Sequence, residues 1–345
     1  MSLVTKLLYK AFETGYIPTR ITKLYMKYLC YNANKTASFG DVDAKNSVFR
    51  QVKDSMLSGR KLQNRFYNEG DSTDIPLNFY EFFMGKYKNF ACAYFSTGSE
   101  DLDDAEDTAL WDVSEKARVR DGMNVLVIGC ENGSLPFYLA QHFENLTITA
   151  LSDSAKMVSH LIKKAEELKL NNINFVNKEF YELKPENKFD RIICIERFDL
   201  IGDIPGWETK IKALMAQNAL FFLQAQVHSN CANFPDSIGL EDYPGNNLIQ
   251  DLIVPSFKNL MLTNKALHLN DCWEISGLQY KRTADKWFRK FEFNRQPIMK
   301  ALEKAYGVQN ARKWYERWRL YLLSQYEKFG SNNGQNWVIG QYLYS

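Results

Sequence analysis

Apolar residues at helical spacing mark two helices near the N-terminus. One stripe over residues 2–14 predicts an amphipathic helix, and a second stripe over 21–28 predicts another. Gly15 and Pro18 separate the two stripes because neither residue continues a helix well. Basic residues outnumber acidic ones along this arm, which is typical of a mitochondrial targeting segment or of a retained basic helical arm. The polar, irregular residues 31–75 predict a linker.

From residue 124 onward, short apolar runs alternate with amphipathic helical stripes. The apolar runs predict strands over 125–129, 146–151, 173–177, 189–195 and 219–227, and the stripes predict helices over 135–143, 154–170 and 207–217. An earlier helical stripe over 102–117 leads the chain into the first strand. This alternation predicts a parallel sheet with helices on both faces.

The alternation ends at His228. Residues 229–270 contain several prolines and glycines and predict an inserted lid or loop with little regular structure. Residues 284–329 are predicted to be helical, and 337–344 to return as a terminal strand. The predicted organisation is an N-terminal helical arm and linker (1–75), a nucleotide-binding core (76–228), and a C-terminal part with lid, helices and last strand (229–345).

Composition narrows the class of protein. Hydrophobic residues make up 45% and charged residues 24%, which is typical of a soluble globular protein, and 14% aromatic residues predict an aromatic core. A net charge of +2 argues against a dedicated nucleic-acid surface, and no apolar run is long enough to span a bilayer. The six cysteines form no CxxC pair, which argues against a zinc cluster and a secreted disulfide framework and favours a reducing compartment. We therefore expect no metal.

The segment Asn124–Leu135, with the sequence NVLVIGCENGSL, joins the first strand to its helix. The turn between them contains Gly129 and Gly133. Strand, glycine turn and helix in this order form a nucleotide crevice at the carboxyl end of a first strand. Two glycines at this spacing also occur in ordinary strand-to-helix turns, so the turn by itself leaves both interpretations open.

Several blocks of sequence resemble one family of enzymes. The blocks are ACAYFS at 91–96, LDDAE at 102–106, VLVIGCENGSL at 125–135, FDRIICIERFD at 189–199, WEISGLQYKRT at 273–283 and FGSNNGQNW at 329–337. In order and spacing they are similar to the cyclopropane fatty acid synthase and coclaurine N-methyltransferase family of S-adenosylmethionine-dependent methyltransferases. The resemblance implies an α/β fold. Its Rossmann-like methyltransferase core would be a mainly parallel seven-stranded sheet with helices on both faces, joined by N-terminal helices and a helical lid.

The same resemblance implies S-adenosylmethionine as the cofactor. The positions implied to contact it are Tyr94, Gly129, Glu131, Gly133, Asp153 and Glu179, with Asp153 and Glu179 facing the ribose and the adenine. Three positions depart from the family. Val127 replaces an acidic residue, Glu131 replaces a glycine, and Met157 replaces a glutamine. A glutamate in this turn adds bulk and a negative charge near the cofactor's carboxylate, so we expect weakened or lost binding.

The family's catalytic motif after the fourth strand reads glutamate-x-phenylalanine-glutamate-histidine, whereas this chain reads Glu196-Arg197-Phe198-Asp199-Leu200. Methyl transfer to an amine requires alignment, a dry pocket and a base that keeps the nucleophile neutral. Leu200 replaces the histidine and cannot accept a proton. The candidate catalytic residues are then Glu196, Asp199 and His228, and Arg197 is expected to pair with Asp199.

The departures fall at cofactor-facing or catalytic positions, whereas the blocks that form the scaffold remain recognisable. This distribution predicts a methyltransferase fold with a degenerate site, serving as a non-catalytic structural or accessory subunit with other protein subunits as partners. The alternative is an active S-adenosylmethionine-dependent methyltransferase with a small-molecule amine or lipid-like substrate. The basic N-terminal helix favours the mitochondrion over the cytoplasm.

Overall fold

A single seven-stranded sheet organises the chain. The computed structural model describes residues 10–38, 76–152, 154–184, 188–197, 207–230, 254–261 and 266–345. The strands are β1 (Asn124–Ile128), β2 (Thr147–Ser152), β3 (Ile173–Asn177), β4 (Phe189–Ile195), β5 (Met215–His228), β6 (Leu269–Ile275) and β7 (Trp337–Tyr344). Their order across the sheet is β3-β2-β1-β4-β5-β7-β6.

Strand β1 lies near the centre and pairs in parallel with β2 and β4. Strands β3 and β5 extend the parallel part on either side, whereas β7 runs antiparallel to both of its neighbours, β5 and β6. Residues 125–128 of β1 are buried, as expected for a parallel strand that is covered on both faces. The predicted mainly parallel seven-stranded sheet is confirmed.

Helices cover both faces of the sheet. The described helices, some of which pack on other helices, are α1 (Thr19–Ser38), α2 (Leu102–Lys116), α3 (Ser134–His142), α4 (Ala155–Glu167), α5 (Trp207–Leu214), α6 (Phe257–Met261), α7 (Gly277–Phe293), α8 (Arg295–Tyr306) and α9 (Val308–Gly330). Side chains of Asp101, Ser154 and Ser276 accept hydrogen bonds from backbone amides at the starts of α2, α4 and α7. Such caps fix where a helix begins because they satisfy donors that the helix itself leaves unpaired.

The described residues form a small apolar cluster around Met26, with Phe12 and Leu320, and three large ones that make up most of the interior. Two of the large clusters lie on the sheet, around Val125 and around Leu126, whose side chains point to opposite faces of β1. The third lies among α7, α8, α9 and the short turn at 79–82, and its fully buried members include Trp287 and Trp318. This third cluster confirms the predicted aromatic core.

Several element boundaries differ from the predictions. Helix α1 continues to Ser38, so the predicted linker at 31–75 begins too early, and residues 39–75 lie outside the described ranges. Helix α4 ends at Glu167, three residues before the predicted end. Strand β5 begins at Met215, inside the predicted helix 207–217. There the register with β4 shifts and Asn218 adopts a φ of 61°, so a polar stretch is accommodated in a strand.

Strand β6 was not predicted. Its sequence, LNDCWEI, places charged residues among the apolar ones, and among the described strands it pairs with β7 alone, at the edge of the sheet. An edge strand buries less of its surface than a central one, so its apolar signal is weak. Within 229–270 the described residues contain α6 and the start of β6, whereas 231–253 and 262–265 lie outside the described ranges, so the lid stays a prediction. Of the predicted helix 2–14, residues 10–13 are helical and 2–9 fall outside the described ranges.

Candidate cofactor and active site

The turn that follows β1 contains three residues in the left-handed region of φ. They are Gly129 at 72°, Glu131 at 45° and Gly133 at 81°. The backbone amides of Gly129 and Cys130 both donate to the carbonyl of Leu151, at 3.0 Å, so the turn is tied to the end of β2. β1 lies between β2, its neighbour in sequence, and β4. The turn therefore stands at the switch point of the sheet, where open α/β sheets bind ligands.

Gly133 is required here for two reasons. Its φ of 81° is costly for any residue with a side chain. An added Cβ would also lie 2.5 Å from Cε2 of Phe137 and 2.8 Å from Cδ2 of Leu161. The turn can therefore pack against α3 and α4 only with glycine at this position.

Glu131 adopts a backbone conformation that glycine favours, although it carries a side chain. Its carboxylate accepts a hydrogen bond from Nη1 of Arg197, which lies just after β4, and the two groups form an ion pair. The side chain of Arg197 is 17% exposed and that of Glu131 36% exposed. The negative charge that the sequence places in the turn therefore faces a cation from the neighbouring strand end.

The pairing of Glu131 differs from what the sequence led us to expect for Arg197. We predicted that Arg197 pairs with Asp199, which lies outside the described residues, as does Leu200. The ion pair with Glu131 links the β1 turn to the β4 end across the switch point. One departure from the family pattern, Glu131, is thus in contact with a side chain of opposite charge.

Glu196 directly follows β4 and has a φ of 50°. Its Oε1 accepts from the backbone amide of Cys92 at 2.8 Å and from Nε2 of Gln224 at 3.0 Å, and its Oε2 accepts from Nε2 of Gln226 at 3.0 Å. The hydroxyl of Tyr280 lies 2.9 Å from the same Gln226 nitrogen. The carboxyl group therefore joins β4, β5, α7 and the segment around Cys92.

Burial raises the pKa of Glu196, and the hydrogen bonds from Cys92, Gln226 and Gln224 oppose that rise. Burial also raises the pKa values of Cys92 and Tyr280. Three donors directed at one carboxyl group fix its position, since each bond constrains an oxygen atom. The geometry favours a positioning role for Glu196, and its catalytic assignment stays a prediction.

Tyr94 lies in the ACAYFS segment, which Glu196 holds from one side through Cys92. The amide of Tyr94 donates to the carbonyl of Ala105 at 2.9 Å, and its side chain is half-buried. On the other side, α7 holds the segment. Thr283 accepts from the amide of Ala93 at 3.1 Å, and Gln279 accepts from the amide of Phe95 at 2.9 Å. The segment therefore has a fixed place next to the end of β4.

The adenine side of the predicted site is only partly described. Glu179 is exposed and follows β3, two strands away from β1, at the same edge of the sheet. Asp153 lies outside the described residues. Met157 is 8% exposed and packs into the apolar cluster on one face of the sheet, while its amide caps onto Ser154. The proposed roles of Asp153 and Glu179 stay predictions.

His228 ends β5 and is 2% exposed. Its Nδ1 lies 3.2 Å from the amide of Asn230, and its ring packs edge-on against Trp337 with centroids 5.2 Å apart. Its own amide donates to the carbonyl of Pro255 at 3.1 Å. This environment is typical of a packed structural histidine, and its assignment as a base stays a prediction.

Comparison with known proteins now decides the family. Residues 60–339 match the family described as mycolic acid cyclopropane synthetase. The chain belongs to this family. Within the described residues, no helix combines the length and the apolar character needed to cross a membrane.

Relatives in this family include plant enzymes. (S)-Coclaurine N-methyltransferase of Thalictrum flavum subsp. glaucum is 27% identical over 275 residues, which cover 79% of this chain and 76% of the relative. (S)-Tetrahydroprotoberberine N-methyltransferase of Eschscholzia californica is 24% identical over 339 residues, 97% of this chain and 90% of the relative. The cyclopropane-fatty-acyl-phospholipid synthase of Escherichia coli (strain K12) is 20% identical and covers 63% of this chain and 54% of that protein.

Solved structures of the family share the fold. Coclaurine N-methyltransferase bound to N-methylheliamine and SAH has a TM-score of 0.89 at 23% identity, covering 99% of this chain and 98% of that one. The cyclopropane synthase MmaA2 from Mycobacterium tuberculosis has a TM-score of 0.65 at 15% identity, covering 83% of this chain and 99% of that one. The methyltransferase fold of this family therefore extends over almost the whole chain.

The partners of the two carboxylates do not follow from the sequence motifs. Arg197, for which we predicted pairing with Asp199, pairs with Glu131. The side-chain amides of Gln224 and Gln226 donate to Glu196 from a strand that otherwise reads as apolar. These two glutamines and His228 alternate along β5 in an otherwise apolar run, FFLQAQVH, so they point to one face of the strand. Polar residues at alternate positions of a buried strand were the signal that could have identified this cluster.

Proposed function

We propose that this chain is an S-adenosylmethionine-dependent methyltransferase that acts on the nitrogen of a small-molecule amine. The observation that carries the proposal is the backbone conformation of the turn after β1 and the pairing of its charge. Glu131 keeps a left-handed backbone, and its charge is paired with Arg197 rather than directed alone at the cleft. The family and its N-methyltransferase relatives support the same function.

The residues at the crevice fit this cofactor. Gly129 and Gly133 allow the turn to pass close to a ligand, and Arg197 offsets the acidic group that would otherwise face the cofactor's carboxylate. S-adenosylmethionine, when bound, supplies an electrophilic methyl group on a sulfonium. Glu196 contributes by holding the segment that contains Tyr94 against the end of β4.

The acceptor nitrogen must be unprotonated to attack a methyl group. Leu200 provides no proton acceptor where the family has histidine, so Asp199 is the carboxylate of this motif that we assign as base. A carboxylate is a weaker base than imidazole at neutral pH. We therefore expect turnover to rise with pH toward the pKa of the amine substrate.

A second candidate is the non-catalytic accessory subunit predicted from the sequence. Met157 favours it, because this side chain packs into the apolar interior where the family places a polar residue. Leu200 favours it as well, because an apolar side chain stands where the family has a histidine. For this second candidate we propose localisation in the mitochondrion, on the basis of the basic N-terminal arm.

Calorimetric titration of the full chain with S-adenosylhomocysteine separates the two candidates. We expect micromolar binding and a higher melting temperature at saturating ligand, since a ligand at one hundred times its Kd stabilises a protein by about 2.7 kcal/mol. Methyl transfer to a panel of secondary and tertiary amines then tests the reaction, with Asp199→Asn as the inactive variant. Gly133→Val is the control for binding, because any side chain at this position would collide with Phe137. No heat and no thermal shift at millimolar ligand would overturn the proposal.

A further inference from the structure

Helix α1 presents a row of large side chains to solvent. Ile21, Leu24, Tyr28 and Tyr31 are 53%, 62%, 60% and 65% exposed. They are spaced three and four residues apart, so they lie on one face of the helix. We call these four residues the α1 stripe. Exposed apolar residues that are contiguous, unlike scattered ones, mark an interaction surface.

The opposite face of α1 fixes the direction of the stripe. Thr22 and Met26 are 0% and 1% exposed, and Met26 packs with Phe12 and Leu320 of α9. The ammonium group of Lys23 lies 5.1 Å from the ring centroid of Tyr326, also on α9. Because the helix is anchored through this inner face, the α1 stripe faces away from the described residues that it packs on.

Charge identifies the kind of partner. Between Glu13 and Asp41 the chain contains no acidic residue. Arg20 and Lys27 are exposed and lie at helical spacing from Leu24 and Tyr31, so cations border the α1 stripe. A helical face of apolar and tyrosine side chains bordered by lysine and arginine is typical of a helix that lies in the interface of an anionic membrane.

We propose that the α1 stripe docks on the surface of an anionic lipid bilayer. The aliphatic side chains would enter the acyl boundary, the tyrosines would lie at the headgroup level, and Arg20 and Lys27 would contact the lipid phosphates. A second copy of the chain fits this face less well, because a symmetric contact would bring equal cations together. The inference is independent of cofactor binding, since no residue of the crevice takes part in it.

Vesicle flotation tests the proposal. The full chain is mixed with vesicles of phosphatidylcholine alone or of equal parts phosphatidylcholine and phosphatidylglycerol. We expect binding to the anionic vesicles only, and weaker binding at high ionic strength because salt screens surface charges. The variant Leu24→Ser/Tyr28→Ser should reduce binding at least about tenfold, given the apolar area it removes. Arg20→Gln/Lys27→Gln should reduce it severalfold at low salt.

Trp111→Ser is the matched control, because Trp111 is 57% exposed on α2 and lies outside the α1 stripe. It should bind vesicles as the wild type does, and unchanged melting temperatures show that all variants are folded. Equal binding to neutral and anionic vesicles would contradict the electrostatic part of the proposal. Absence of vesicle binding would overturn it. Concentration-dependent dimers that Leu24→Ser/Tyr28→Ser abolishes would replace it with self-association.

Discussion

Two carboxylates stand on opposite sides of the same crevice and are held in different ways. Glu131 follows β1 and Glu196 follows β4, and both have a positive φ, of 45° and 50°. Two side-chain amides and a backbone amide hold the carboxyl group of Glu196. The carboxyl group of Glu131 instead forms an ion pair with Arg197, which lies just after β4. The Glu131 side chain is 36% exposed. The hydrogen bonds to Glu196 hold parts of the fold together. The ion pair of Glu131 with Arg197 changes the charge that a ligand in the crevice would meet.

The two arrangements should differ in energy as well as in role. A polar group that is buried and left without its partner costs about 1–3 kcal/mol. A partly exposed ion pair contributes about 0–1 kcal/mol, because water and salt screen its charges. Mutation of Glu196 should therefore mainly change the free energy of unfolding, whereas mutation of the Glu131–Arg197 pair should mainly change ligand affinity.

The largest expected effect is the loss of the Glu196 carboxyl group. Glu196→Ala removes the common acceptor of Cys92, Gln224 and Gln226, so we expect the free energy of unfolding to fall by about 3 kcal/mol. Glu131→Gln should change it by less than about 1 kcal/mol. Urea denaturation of both variants measures the difference. Equal losses would show that both carboxylates serve the scaffold.

A buried carboxyl group elsewhere in the molecule extends the comparison to pH. Glu106 is fully buried on α2 and accepts from the amides of Gly85 at 2.9 Å and Tyr87 at 3.0 Å. Burial raises its pKa from 4.5 to about 7. Because the folded state binds this proton more tightly, the contribution of Glu106 to stability is present below pH 4.5 and is lost as pH rises to about 7.

We therefore expect the wild type to lose up to about 1.4 kcal/mol of unfolding free energy for each pH unit from this group within that interval. Glu106→Gln cannot titrate and should remove that slope, whereas Glu131→Gln should keep it. Denaturation curves between pH 4.5 and 7 provide the measurement. Parallel pH profiles for the wild type and Glu106→Gln would contradict the assignment.

The sequence predicts the part of the site that depends on local pattern. The apolar runs of β1 to β5 and the glycines at 129 and 133 follow from backbone geometry and burial, and the structure confirms this framework. The pairing of Glu131 with Arg197 depends on the reach of two side chains that are 66 positions apart in sequence. No local pattern encodes such a distance. Strand β6 was missed for a related reason, since an edge strand is specified by its partner more than by its own apolar residues.

The smallest expected effect is on cofactor affinity. It depends on whether the effect of mutating Arg197 changes when Glu131 is also mutated, and this dependence is the sharpest test of the comparison. Arg197→Ala leaves the Glu131 charge facing the cofactor's carboxylate, so we expect the affinity for S-adenosylhomocysteine to fall about tenfold, or about 1.4 kcal/mol. Glu131→Gly removes that charge and restores the residue that suits this φ. In the Glu131→Gly background, Arg197→Ala should therefore have little effect.

Calorimetric titrations of the four chains in this double-mutant cycle measure the coupling, and unfolding free energies measured alongside show whether the changes are confined to binding. Additive losses would mean that Arg197 contacts the ligand independently of Glu131. A wild type that binds no ligand would refute the proposed function. Binding by the wild type with additive effects of the two mutations would refute only the coupling, so the two outcomes are distinguishable. Coupling that weakens with added salt would show that Arg197 acts through charge, as expected for an ion pair that is partly open to solvent.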